Sequence, residues 1–302
     1  MTQYTRALRF KLPLMRGEDV LALQQRLREL GLFGVGQPDG LFGTKTEGAV
    51  KEFQKNNNLK VDGIVGPRTW TELFKTSERN TGLDKTQSVL EELKASHQYR
   101  NVSVSWRLDK KGILIDGSDK LETFGGEPAT VRKIWQNFGM FVDEWSKGLG
   151  VPAELIVATI ATETRGDPKA VREEPGYKSD EETPHKVSPG LMQTLISTAR
   201  AALGDDTINR GWLLEPNNSI RAGTAYIAQQ WRVTHFDPPK VACAYNAGSI
   251  FFNNSPDNRW KMRQFPINSS EHADRFVKWF NECFIMFEKD GVKPDVSFFA
   301  LL

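Results

Sequence analysis

The sequence predicts a mainly α chain built of two modules, a small three-helix unit and a larger helical domain, with a short β-hairpin between them. Three observations predict it. An eight-residue pattern, Asp39 to Thr46, returns as Asp62 to Thr69. Apolar residues recur at helical spacing from Val131 through Ile134, Trp135, Phe138, Phe141, Val142 and Trp145 to Leu149. The segment after Pro152, through Ala161, is almost wholly apolar, the pattern of a helix buried on every side. A length of 302 residues suits two domains, and 39% hydrophobic with 26% charged residues is ordinary for a chain that folds around cores.

Residues 14 to 74 read as a compact helical unit. Leu21, Leu23, Leu27 and Leu30 mark an amphipathic helix that stops at Gly31. The two copies, Asp39-Gly40-Leu41-Phe42-Gly43-Thr44-Lys45-Thr46 and Asp62-Gly63-Ile64-Val65-Gly66-Pro67-Arg68-Thr69, begin 23 residues apart. In each, Asp-Gly signals a turn and the second glycine frees the backbone just ahead of a helix. The first of these helices carries Ala49, Val50 and Phe53; the second carries Trp70, Leu73 and Phe74. This duplication, with Phe53-Gln54 between the copies and Thr69-Trp70 behind, resembles the peptidoglycan-binding-like module of many wall hydrolases over roughly residues 13 to 75. The Asp, Gly and apolar positions build the fold. The family association is what implies bacterial peptidoglycan as the partner.

Residues 75 to 98 are polar and charged and read as a linker or an exposed helix. Val102, Val104 and Trp106 alternate with Ser, a strand signal; Asp109 to Gly112 reads as a turn and Ile113-Leu114-Ile115 as a second strand. The expected domains are residues 1–76, a connecting segment 77–128 that holds the hairpin, and residues 129–302. The net charge of +2, from 40 basic and 38 acidic residues, gives no footprint for nucleic acid. Cys243 and Cys283 sit in apolar helical patterns and read as buried thiols without a disulfide. His97, His185, His235 and His272 lack metal-ligand spacing, so no metal and no cofactor is expected. No run of about 18 apolar residues is present to span a membrane. Met1 to Arg16 lack the apolar segment of a signal peptide, so the chain is expected in the cytoplasm until released.

Glu163 carries the candidate chemistry. It ends the apolar helix, after Ile156-Val157-Ala158-Thr159-Ile160-Ala161-Thr162, on the face of Thr159 and Ile156, with Gly166 just beyond. Burial disfavours its carboxylate, and so does the partial negative charge of a helix C-terminus. A carboxylic acid still protonated near neutral pH is what cleavage of a glycosidic bond needs.

Four motifs run in order from that acid: Glu163-Thr164; Gly190-Leu191-Met192-Gln193 followed by Ser197-Thr198-Ala199; Asn218-Ser219-Ile220-Arg221-Ala222-Gly223-Thr224-Ala225-Tyr226; and Ala244-Tyr245-Asn246-Ala247-Gly248. Over roughly residues 140 to 285 they resemble the soluble lytic transglycosylase and goose-type lysozyme superfamily, with Thr164 where that family has Ser. The resemblance implies a lysozyme-like α-helical catalytic domain with Glu163 as the acid. It implies that Gln193 contacts a sugar or an N-acetyl group. Met192 would pack beneath the cleft, Tyr245 would orient Glu163 or the substrate, and Asn246 would hydrogen-bond substrate. Ile196 replaces the family's usual Pro, Pro189 stands where a small residue is common, and Asp167 to Val187 is longer and more charged than in compact members. These departures leave the shape of the cleft open. Within that insertion Glu173 and Glu174 are either a solvated charged loop or the source of a second carboxylate, and Glu174 is placed near substrate as the rim of the site. Glu271, after Ser269-Ser270, reads as a helix cap and dipole partner.

The implied protein is a monomer of the modular phage-endolysin kind or a bacterial wall-remodelling enzyme, acting at the cell wall. It would cleave the β-1,4 bond between N-acetylmuramic acid and N-acetylglucosamine, forming 1,6-anhydromuramyl ends, since a lytic transglycosylase needs only one Glu. A goose-type muramidase that uses water is the alternative. A wall-binding protein with a dead catalytic domain is a third reading, against which an intact Glu163 and an intact Ala-Tyr-Asn-Ala-Gly speak.

Overall fold

The computed structural model describes residues 4–30, 32–57, 59–74, 82–118 and 120–302. The helix stop read at Gly31 and the module boundary at residues 76 and 77 lie outside the described residues. Contacts divide the chain into two compact units, Met1–Arg79 with Ser197–Ile208, and Asn80–Ile196 with Asn209–Leu302. The architecture is mainly α, with a few short strands.

In the N-terminal unit, α1 (Glu18–Glu29), α2 (Thr44–Asn56) and α3 (Pro67–Phe74) surround one apolar core. The buried stripe of α1 is Val20, Leu23 and Leu27, while Leu30, read as part of it, is exposed at the helix end. Val50 and Phe53 of α2 and Trp70 and Leu73 of α3 close the core. The duplicated pattern has a specific physical cause. Each Asp-Gly turn is clamped by a buried glutamine. The Gln24 amide donates to Asp39 Oδ1 (2.9 Å) and the Leu41 carbonyl (3.0 Å), and its Oε1 accepts from the Asp39 and Gly40 N–H groups (3.0 and 2.8 Å). Gln54 repeats this with Asp62 Oδ1 (2.9 Å), the Ile64 carbonyl (3.0 Å) and the N–H groups of Asp62 and Gly63 (3.1 and 2.8 Å). Gly40 and Gly63 share a φ of 72°, the left-handed region that favours glycine.

The second unit opens with α4 (Gly82–Lys94) and a three-stranded antiparallel sheet of β1 (His97–Gln98), β2 (Ser105–Asp109) and β3 (Gly112–Ile115). Where the sequence suggested a linker or exposed helix, α4 buries Val89, Leu90 and Leu93 in the same core as Trp106 of β2 and the central helices. The hairpin is present with Trp106 opposite Ile115, but its first strand starts at Ser105. Val102 is exposed instead, because a turn closed by the Ser103 N–H on the Arg100 carbonyl (2.8 Å) precedes the strand.

Next come α5 (Ala129–Leu149) and α6 (Ala153–Glu163), then an antiparallel pair, β4 (Val171–Glu173) with β5 (Val187–Pro189). After them follows α7 (Ile196–Leu203), which from Ser197 onward groups with the N-terminal unit. Then come, in the second unit, α8 (Arg210–Leu214), α9 (Pro216–Gln229), α10 (Trp231–Thr234), α11 (Pro238–Ala247), α12 (Glu271–Asp290) and α13 (Phe298–Leu301). Every residue of α6 from Ala153 to Thr162 is buried, with α5 and α12 packed against it. Its Leu, Ile and Val side chains each contribute roughly 1.5–3 kcal/mol of burial, so the helix holds its last residue on a rigid axis. Both cysteines are buried and unbridged. No helix among the described residues is long and apolar enough to cross a membrane.

Candidate active site

Glu163 is the last residue of α6, and its side chain is 18% exposed, at the point where that otherwise buried helix meets solvent. Burial pushes its carboxyl up to about 7, against the opposing charges of Arg275 and Arg172. Desolvation therefore outweighs two cations, and the acid is about half protonated at neutral pH. Among the described residues no group of three or more His, Cys, Asp or Glu is placed to hold a metal ion.

The segment from Gly190 to Thr194 passes this helix end and is fastened from several sides. The Thr164 hydroxyl lies 2.8 Å from the Leu191 carbonyl and 3.2 Å from the Ile160 carbonyl, tying the end of α6 to the segment. Thr thus serves where the resembling family has Ser, since either side chain supplies that hydroxyl. The Met192 N–H donates to Ser219 Oγ of α9 (3.1 Å). Met192 is fully buried over Gly223, where an added Cβ would stand 2.5 Å from its Sδ. Gly190 admits no other residue: its φ is 84°, and a Cβ there would lie 2.0 Å from the Leu213 carbonyl oxygen. These close approaches explain the glycines of two of the motifs.

Gln193 sits on left-handed backbone (φ 49°). Its amide donates to the Ala170 and Gly190 carbonyls (3.0 and 2.9 Å), and its Oε1 accepts from the Ser188 hydroxyl (3.2 Å). Both amide hydrogens are engaged inside the protein, so the side chain braces the segment on β5. Tyr245 of α11 donates its hydroxyl to the Met192 carbonyl (2.8 Å) and accepts from the Thr194 hydroxyl (2.8 Å). Burial keeps this phenol protonated, and Glu163 is among the charges that act on it. Its ring meets Tyr226 edge-on at 5.3 Å.

Asn246 follows on α11. Its Oδ1 accepts from the Phe265 N–H (2.5 Å), and its Nδ2 faces His272 Nδ1 at 3.4 Å. The other ring nitrogen of His272, Nε2, stands 3.6 Å from Glu163 Oε1. His272 lies in the first turn of α12, and burial, with Arg275 beside it, lowers its pKa to about 3. It is neutral at any physiological pH, so its contact with Glu163 is not an ion pair.

Glu174 lies on the β4–β5 insertion, where it accepts from Arg172 (2.8 Å) and is partly exposed. The insertion is ordered by Arg210, which reaches Asp180 (2.8 Å), Glu173 (2.8 Å) and the Tyr177 hydroxyl (2.9 Å). Glu173 is therefore held by Arg210, while Glu174 pairs with Arg172, whose charge also acts on Glu163. Sequence reasoning missed His272, Arg275, Arg172 and Thr194. His272 had been weighed only as a metal ligand. A pairing between positions 163 and 272 has no signature in one chain.

A carboxylic acid half protonated at neutral pH, partly open to solvent and set among neutral hydroxyls and cations, has the properties general acid catalysis requires. Comparison with known families says which kind. Residues 140–264 match the family model of the transglycosylase SLT domain, and residues 16–73 match that of the putative peptidoglycan binding domain. The chain carries both domains. It is 42% identical over 66 residues to the N-acetylmuramoyl-L-alanine amidase CwlM of Mycobacterium tuberculosis, a stretch that covers 22% of this chain and 16% of that one. It is 41% identical over 64 residues to the spore cortex-lytic enzyme of Halalkalibacterium halodurans, covering 21% of this chain and 19% of that one. The chain thus spans under a fifth of the length of these relatives. Among solved structures, an inactive mutant of the lytic transglycosylase Slt from Pseudomonas aeruginosa aligns with TM-score 0.35 at 19% identity, over 57% of this chain and 26% of that one. A Burkholderia AP3 phage endolysin aligns with TM-score 0.27 at 14% identity, over 91% and 98% of the two chains.

Proposed function

We propose that this chain is a peptidoglycan-cleaving enzyme of the cell wall. Residues 1–76 bind the wall, residues 129–302 cut the glycan, and α4 with the three-stranded sheet, residues 82–115, packs into the core of the cutting unit. The bond cut is the β-1,4 link between N-acetylmuramic acid and N-acetylglucosamine, and the outcome is a 1,6-anhydromuramyl end. The observation that carries this reading is Glu163, a carboxylic acid raised to about 7 by burial at the end of a rigid helix.

Glu163 in its acid form donates its proton to the bridging oxygen. The bond from that oxygen to the muramyl C1 breaks, and its electron pair leaves with the N-acetylglucosamine. The Glu163 carboxylate then takes the proton of the muramyl C6 hydroxyl, whose oxygen closes on C1. No water is consumed and the enzyme is returned unchanged. A side chain with a pKa near the working pH suits both halves, since it gives and regains one proton at comparable cost. The groups acting on Glu163 are cations, a tyrosine and a neutral histidine. The candidate second carboxylate, Glu174, is engaged by Arg172. This supports one-carboxylate chemistry over water activation. Gln193, Met192 and Tyr245 shape the substrate side of the site by holding the segment 190–194, and Glu174 forms its rim.

Digestion of purified sacculi followed by mass spectrometry tests the reading. Anhydro ends are expected. Reducing ends would make the enzyme a muramidase, and intact glycan would overturn the activity altogether.

A further inference from the structure

The network behind Glu163 has a direction set by its donors. A backbone N–H can only donate, so the Asn246 atom 2.5 Å from the Phe265 nitrogen is the amide oxygen. The other end of that amide is then its NH₂ group, and it faces His272 Nδ1 at 3.4 Å. A nitrogen that faces an NH₂ donor must accept, so Nδ1 carries no proton. Neutral His272 therefore carries its proton on Nε2, the nitrogen 3.6 Å from Glu163 Oε1. The hydrogen-bond network fixes this tautomer. The 3.6 Å gap is beyond hydrogen-bond length, and such catalytic contacts are often long until substrate is bound.

Resting on Glu163 as the acid, we infer that His272 is a positioning residue for it, held in one tautomer by Asn246. Its Nε2–H closes on the Glu163 carboxylate once the proton has gone to the leaving oxygen. The hydrogen bond is weak to the acid form and strong to the carboxylate. It favours proton donation and keeps the carboxylate aimed until it takes the next proton. Asn246 thus acts through His272. The charged and titratable groups facing Glu163 are Arg275, on α12 with His272, Arg172 on β4, and Tyr245 on α11. None of the three takes part in the chain from Phe265 to Glu163.

Three variants of the full-length chain test this on soluble glycan oligomers: His272→Phe, His272→Gln and Asn246→Asp. Phe fills the ring space without a donor. Turnover should fall roughly ten- to hundredfold, the scale of a hydrogen bond to a charged group, with KM little changed. The carboxylate loses a stabilising donor, so the Glu163 pKa rises and the alkaline limb of the kcat profile moves to higher pH. Gln places an amide N–H near Nε2 and should restore most of the turnover. Asp at position 246 keeps the acceptor for the Phe265 N–H but turns an acceptor toward Nδ1. That favours the doubly protonated imidazolium, whose charge stabilises the carboxylate, so the alkaline limb should move to lower pH. Opposite shifts in the His272→Phe and Asn246→Asp variants, each with wild-type Tm, are the expected signature.

A kcat profile unmoved in both would overturn the role of His272. So would equal losses in the Phe and Gln variants, since a space-filling role predicts Phe to be the milder change. Should the Phe variant fail to fold, the Gln and Asp variants still decide between these outcomes. A wild-type chain that cleaves no glycan would instead refute the proposed function, which separates the two failures.

Discussion

A pair of buried polar groups in the N-terminal unit and one in the second unit are treated in opposite ways. In the N-terminal unit Gln24 and Gln54 are almost fully buried, and each donates and accepts through both ends of its amide. In the second unit Glu163 is buried enough to raise its pKa to about 7, yet its nearest side-chain partner stands 3.6 Å away. A buried polar group stabilises a fold when its hydrogen bonds are complete, and costs stability when they are not. The glutamines are therefore explained by architecture alone. Glu163 is not, and a carboxyl raised by burial to about 7 at the end of a well-packed helix points to chemistry.

The largest effect should come from Glu163→Gln. The amide is nearly isosteric but can neither give up nor regain a proton, so cleavage should fall at least ~10²–10⁴-fold, the usual range of general acid catalysis. Wall binding should be untouched. Stability should change in the opposite direction to that of a fold-holding residue, and the sign follows from linkage. The folded pKa of about 7 lies above the ordinary 4.5. The folded state thus holds its proton more tightly than the unfolded chain, and wild-type stability declines as pH rises from about 4.5 through about 7. The loss amounts to about 3 kcal/mol at pH 8, an order-of-magnitude figure from the size of the shift. Denaturant melts should show Glu163→Gln more stable than wild type at pH 8, with the gap closing at pH 4. A variant that loses activity because it unfolds would make Glu163 structural and erase the contrast.

Opposite behaviour is expected at Gln54. Gln54→Ala leaves the Asp62 and Gly63 N–H groups and the Ile64 carbonyl without their partner, at a cost of roughly 2–4 kcal/mol to the N-terminal unit. Co-sedimentation with sacculi should weaken as that unit unfolds. Cleavage of soluble oligomers and its pH profile should stay at wild-type values. Gln24→Ala should act alike, since its contacts repeat those of Gln54. Loss of oligomer cleavage in either variant would show that the glutamines serve more than the fold of their own unit.

The same contrast governs how much was legible in the sequence. Residues that act on near neighbours in the chain leave patterns. The Asp-Gly turns and the hairpin opposite Trp106 arise from contacts within one loop. The apolar period of α5 and the buried run of α6 show as patterns of adjacent residues, although the helices packed on them are distant. The Gln54 clamp reaches only from position 54 to position 62, and Phe53-Gln54 stands out in the sequence only through its family resemblance. Gln24 reaches from position 24 to 39 and was missed. Glu163 stood out because an acid at the end of an apolar helix breaks a local rule. His272 breaks none: a histidine in the first turn of an amphipathic helix is unremarkable until α12 is folded onto α6. The face of α4 was misjudged for a related reason, since its three buried apolar residues are too few to read as a core stripe among charged neighbours.

The smallest expected effect belongs to Glu174, which sits between the two behaviours. It is 38% exposed and paired with Arg172, itself 66% exposed, so the pair contributes little to stability. Glu174→Gln should leave Tm within error of wild type. Arg172 also acts on Glu163, lowering its pKa against the effect of burial. Removing the carboxylate of Glu174 leaves the charge of Arg172 less neutralised. The Glu163 carboxylate is then better stabilised, its pKa falls, and the alkaline limb of turnover moves to lower pH by about a few tenths of a unit, as a screened interaction between exposed charges allows. Turnover at neutral pH should fall by less than about twofold, the change in protonated fraction that such a shift produces. Direct contact between Glu174 and substrate would add a rise in KM on polymer that a purely electrostatic role does not produce. Kinetics unchanged on both polymer and oligomer, at every pH, would return Glu174 to the solvated face of the insertion and leave Glu163 governed by its buried neighbours alone.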